Sequence, residues 1–63
     1  MTKWVLYDEG GEIVSVDADS YEDAIEELGN EFYNGNMDFG TEEEAKEFIK
    51  DGVLGHILEL RRL

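Results

Sequence analysis

Between Lys3 and Lys46 this chain has no Lys and no Arg, yet it holds fourteen carboxylates. They are Asp8, Glu9, Glu12, Asp17, Asp19, Glu22, Asp23, Glu26, Glu27, Glu31, Asp38, Glu42, Glu43 and Glu44. A one-signed block of this length repels itself and so works against any compact state. Charge of that kind serves solubility, a cationic partner or a very salty cell. It is also concentrated. Residues 1–40 carry eleven acids against Lys3 alone, whereas residues 41–63 carry six acids against four bases, for a net charge of −12.

Sixty-three residues make a single acidic domain, 1–63, near the small end of chains that fold unaided. The absence of Cys removes disulfides, zinc knuckles and thiol nucleophiles, and fits a reducing compartment. Oligomerisation is the remaining way to enlarge so small a core, so a homodimer is among the expected states. No apolar run approaches the roughly 20 residues of a membrane span. Met1-Thr2-Lys3-Trp4 lacks the basic-then-apolar layout of a signal peptide, so the expected location is cytoplasmic, the host cytoplasm if the chain is phage-encoded. A hydrophobic content of 41% is too high for a disordered acidic tail.

Lys3-Trp4-Val5-Leu6-Tyr7 and Glu12-Ile13-Val14-Ser15-Val16-Asp17 read as two strands joined by a tight turn at Asp8-Glu9-Gly10-Gly11. Simple alternation puts Glu12, Val14 and Val16 on one face of the second strand, and Ile13, Ser15 and Asp17 on the other. Asp17-Ala18-Asp19-Ser20 reads as a helix entrance, capped by Asp19 with Glu22 or by Ser20 with Asp23. Tyr21, Ala24, Ile25, Leu28 and Phe32 then form an apolar stripe at helical spacing. That helix either stops at Gly29-Asn30 or continues to Tyr33 with Gly35 as a left-handed cap; a hairpin through Asn34-Gly35 is the alternative. Thr41-Glu42-Glu43-Glu44 is a capping box opening a second helix, with Ala45, Phe48 and Ile49 on its buried face and Asp51-Gly52 as its stop. Residues 53–63 suit either a helix or a strand. The glycines Gly52 and Gly55 favour a strand that joins the hairpin. The expected fold is α+β, a small antiparallel sheet packed on two helices in the order ββααβ.

Little here points to catalysis. The one His, His56, has no nucleophile to serve, and there is no phosphate-binding Gly-rich loop. With seventeen acids some carboxylate pair is inevitable, so pairing carries no specificity. No enzyme and no cofactor are expected. Asp17-Ala18-Asp19-Ser20-Tyr21-Glu22 resembles the start of a calcium loop, but its fifth position is Tyr21, its sixth Glu22 and its twelfth Leu28. The EF-hand pattern fails at all three, so no metal ligands are assigned.

The acidic helix is more telling. Glu22 with Glu26, Asp23 with Glu27 and Glu27 with Glu31 are like-charge pairs four residues apart, each costing a few tenths of a kcal/mol. DNA presents one charge per about 1.7 Å of axis, and carboxylates spread along a helix offer a similar field. Direct contact with nucleic acid or with anionic membrane is disfavoured, because it needs Lys and Arg. The expected partner is instead the basic surface of a nucleic-acid-binding protein. The expected role is a phage-type inhibitor that mimics DNA charge, of the anti-CRISPR, anti-restriction or repair-enzyme class; the likeness is one of size and charge only. The residues assigned to that contact are Asp17, Asp19, Glu22, Asp23, Glu26, Glu27, Glu31 and Tyr33, with Tyr33 and Phe39 as the aromatic residues expected to be most exposed. The competing expectation is a small accessory interaction domain whose acidity only keeps it soluble.

Overall fold

The computed structural model describes residues 2–35 and 38–63. Its elements run β1 (Thr2–Asp8), β2 (Gly11–Ala18), α1 (Tyr21–Asn34), α2 (Glu42–Leu54) and β3 (Glu59–Arg62), the expected ββααβ order. The three strands form one antiparallel sheet in the order β2-β1-β3.

At the first turn Gly11 takes a φ of +116°, a region open chiefly to glycine, and the Asp8 carboxylate accepts from the Gly10 N–H at 2.7 Å. The β1–β2 register then skips. Leu6 faces Val14, but Tyr7 faces Glu12, which leaves Ile13 unpaired as a bulge. The skip overturns simple alternation. Glu12 shares the face of Tyr7 rather than that of Val14, and Ile13 joins Val14 in lining a recess beneath the helices.

Trp4, Leu6, Val16 and Ala18 face the helices and pack with Ala24, Ile25, Leu28, Phe32, Ala45, Ile49 and Leu58. Fully burying a side chain such as Leu6, Ile25, Leu28 or Ile49 contributes about 1.5–3 kcal/mol each. The Trp4 indole N–H donates to the Ala18 carbonyl at 3.1 Å, and its ring meets Tyr21 edge-on. This pair fixes where α1 leaves the sheet. Val5 points to the opposite, uncovered face, yet it is buried in the central strand between Ser15 and Arg61.

Ser20 is the cap of α1, its Oγ accepting from the Asp23 N–H at 3.2 Å. Asp17 is no part of that entrance, because β2 continues to Ala18 and sets Asp17 opposite Lys3. The helix runs through Gly29 to Asn34, since its apolar stripe gains more from continuing to Phe32 than one glycine costs. Gly35 has a φ of −87° and is not the left-handed cap. The hairpin alternative is excluded up to Gly35, and its remaining residues, Asn36 and Met37, lie outside the described residues.

Thr41 caps α2 by accepting from the Glu44 N–H at 3.2 Å, while Glu44 reaches back to the Gly40 N–H. Gly52 does not stop this helix. A β-carbon there would sit 2.5 Å from Leu58 Cδ1, so the glycine admits the buried Leu58 against the helix. The chain turns one residue after Gly55, at His56, which has a φ of +62°. His56 N–H donates to the Val53 carbonyl and Ile57 N–H to the Gly52 carbonyl, the two bonds of a Schellman motif. Phe48, expected to be buried, is 46% exposed, and Phe39, expected to be exposed, is half-buried against Phe32 and Phe48.

Candidate binding face

The buried stripe of α1 runs through Ala24, Ile25, Leu28, Gly29 and Phe32, so its other positions face water. Between Glu22 and Glu31 those exposed positions are all acidic except Asn30. Nine residues at 1.5 Å rise place five carboxylate-bearing positions over about 13.5 Å, an average step of about 3.4 Å. That step equals the axial spacing of phosphates along one DNA strand, about 3.4 Å.

Cations are scarce around this row. Among the described residues only Glu26, Glu43 and Glu59 form ion pairs. Lys46 Nζ lies 3.4 Å from Glu26 and 3.3 Å from Glu43, and these carboxylates, Glu43 foremost, raise the lysine above its ordinary pKa. Lys46 reaches Glu26 because α1 and α2 cross at Gly29, where a β-carbon would overlap Lys46 Cγ. Glu22, Asp23, Glu27 and Glu31 have no such partner among the described residues.

The row has two borders. Toward α2, Tyr21, Glu22, Asp23 and Glu26 line a groove of about 880 Å³ with Glu43, Lys46, Lys50, Leu54 and His56 on its far wall. Toward the hairpin, Glu31 and Asp8 flank an apolar recess floored by Val14, Phe32 and Leu58, where Ile13 and Phe48 stand about half exposed. The outward surface of α1 from Glu22 to Glu31 is therefore acidic apart from Asn30, the inter-helix groove is mixed in sign, and the hairpin end offers apolar contact rimmed by carboxylates.

Of the residues assigned from sequence, Glu22, Asp23, Glu26, Glu27 and Glu31 are gathered on α1, and Asp19 stands exposed just before its cap. Tyr33 is exposed three turns beyond Glu22 on the same flank. Asp17 is not gathered with them. It lies on the far face of the sheet, opposite Lys3. Sequence reasoning missed the recess because a bulge at Ile13 and an exposed Phe48 both contradict simple periodicity. It also missed the two lysines in the groove, although their four-residue spacing on α2 was visible.

Among the described residues no three carboxylate or imidazole groups gather to hold a metal ion, and no helix is long and apolar enough to cross a membrane. Comparison with protein-family models, curated proteins and solved structures finds no match to this chain.

Proposed function

We propose that the chain is a non-enzymatic binding protein that lays the outer face of α1 into a Lys/Arg-rich groove of a nucleic-acid-binding protein, occupying the place of the phosphate backbone. The observation that carries this reading is the row Glu22–Asp23–Glu26–Glu27–Glu31. Its average axial step matches that of phosphates along one strand, and it is exposed and neutralised only at Glu26 among the described residues. A helix with lysines interspersed would be more stable, so selection for stability alone does not account for the row. Carboxylates supply association rate and salt dependence, while affinity needs an apolar anchor. Ile13 and Phe48, beside Glu31 and Asp8, offer one at the end of the row. An inhibitor of a host restriction, repair or CRISPR protein is the most specific form of the reading.

The test is capture of partners from a host lysate at about 50 mM and about 500 mM salt, with and without duplex DNA. The reading requires a nucleic-acid-binding protein that is retained at low salt and released by DNA or by high salt. A partner indifferent to both favours the second reading, an accessory module that binds through apolar surface. That alternative has its own observation, the 81% exposure of Leu54 at the end of α2.

A further inference from the structure

The free edge of β3 matches itself. Leu63 N–H donates to the Lys3 carbonyl at 2.9 Å, and Val5 faces Arg61 while Tyr7 faces Glu59. In an antiparallel ladder residues alternate between bonding one neighbour and the other. Residues 59, 61 and 63 therefore bond β1, and the amides and carbonyls of Leu60 and Arg62 point to the open side. Neither Leu60 nor Arg62 has another backbone partner among the described residues. Edges of this kind are blunted by proline, a bulge or a covering element, or by short length and charge. β3 is four residues long and carries Glu59, Arg61 and Arg62, so a strand that pairs with it must match those charges. The bulge of this sheet lies on the opposite edge strand, β2, and the sequence holds no proline.

We propose that β3 pairs antiparallel with β3 of a second copy about a two-fold axis at Leu60, joining two three-stranded sheets into one. Three features select this occupant and this register. First, Leu60 meets its counterpart on the helix-covered face, and their outward amides and carbonyls bond each other. Second, Glu59 falls opposite Arg61 of the second copy, twice over, at the closely approaching non-bonded positions where cross-strand side chains interact most. Moving the axis to Glu59 or to Arg61 keeps the faces correct but sets like charges opposite each other. Third, Ile57 and Leu63, 69% and 70% exposed, fall against one another at both ends of the same alignment.

Ile57 is exposed for a local reason. In a Schellman motif the residue after the left-handed position packs on the helix near its third-last residue; here that residue is Gly52, and Leu58 occupies the space beside it. The charge balance allows the approach as well. Residues 59–63 carry one acid against two bases, and the strand order puts β3 at the edge away from β2, on which α1 packs. Two protomers of charge −12 meet where the local charge is not acidic, and both α1 rows remain free. The surface is distinct from the one assigned to the basic partner.

Sedimentation of the whole chain from about 10 to 500 µM tests the interface, an affinity range in keeping with small buried areas. The mass should rise with concentration to twice 7.2 kDa. Glu59→Arg alone and Arg61→Glu alone should each remain monomeric, because each sets like charges opposite in the homodimer. Mixing these two variants should restore the two-fold mass, since every cross-strand pair is then again of opposite sign. The wild-type chain staying monomeric at about 500 µM, either single variant still dimerising, or a mixture failing to associate would each overturn the proposal. If circular dichroism shows that a single variant does not fold, the double variant replaces it. Glu59→Arg with Arg61→Glu keeps the intrastrand pair, and should dimerise with itself while refusing to exchange with the wild type; free exchange would refute the register.

Discussion

Replacing Glu27 by lysine should make the domain more stable while weakening the proposed contact. Glu27 is exposed on α1, with Asp23 one turn before it and Glu31 one turn after, and it has no ion-pair partner among the described residues. Each like-charge pair at this spacing costs about 0.2–0.5 kcal/mol, and each opposite pair returns a similar amount. Glu27→Lys converts two pairs at once. In the pair with Asp23 the acid precedes the new base, which is the favourable order; in the pair with Glu31 the base precedes the acid, which is the weaker one. The summed gain is about 1 kcal/mol. In a domain of this length that raises Tm by about 4–8 °C. Glu27→Gln removes the repulsion without adding attraction and should give roughly half the gain. Thermal melts followed by circular dichroism at about 20 mM and about 500 mM salt check the origin, because exposed pairs are screened at the higher value. No gain at low salt, or a gain unchanged at high salt, would refute the reasoning that the row stands unrelieved on the folded surface.

Three further perturbations follow from the packing. Gly29→Ala should destabilise by about 1 kcal/mol in denaturant unfolding, because overlap with Lys46 at the helix crossing outweighs the gain of about 1 kcal/mol in helix propensity; stabilisation would contradict the close crossing. His56→Gly should stabilise by about 0.5–1 kcal/mol, since relief of the left-handed backbone exceeds the entropy lost to a freer unfolded chain; a net loss would mean that the imidazole contributes a contact. The Glu59 carboxyl is held below its ordinary pKa by its bond to Arg61, so its contribution is complete above the unfolded carboxylate pKa and disappears as pH falls through the lowered folded value. Acid titration of Glu59→Gln against the wild type should therefore show a stability difference near neutrality that closes in the acid range; a constant difference would contradict that linkage.

Strong local signals carried most of the fold. The Gly10-Gly11 turn, the stripe from Tyr21 to Phe32 and the Thr41 capping box each combine with a matching hydrophobic period, and each appears where expected. The misplaced boundaries share one cause. Gly52 read as the stop of its helix and Gly29 as one of two candidate ends, but both are contact points where another part of the chain needs the room of a missing β-carbon, Leu58 in one case and Lys46 in the other. Such an approach is invisible without the partner element. The bulge at Ile13 has the same character, because it is set by pairing with β1 and turns Glu12 to the other face. The acidic row was legible because helical spacing alone fixes it, whereas the separation of Asp17 from that row depends on strand register. The self-matching of Glu59, Leu60 and Arg61 depends in turn on knowing which backbone groups face outward.

Parallel capture with two baits, the wild-type chain and the double variant Asp23→Lys with Glu27→Lys, tests the central claim most directly. Both should fold, the second with little net change in stability, because the attraction gained between positions 27 and 31 is offset by the acid lost from the first turn and by the repulsion kept between positions 23 and 27. α1 should be the only altered surface. The account predicts that the wild-type bait retains a nucleic-acid-binding protein at about 50 mM salt, that duplex DNA releases it, and that the reversed bait recovers at least about tenfold less, a loss of about 1.4 kcal/mol or more in binding. Equal recovery by the two baits, or retention that duplex DNA does not disturb, would contradict it.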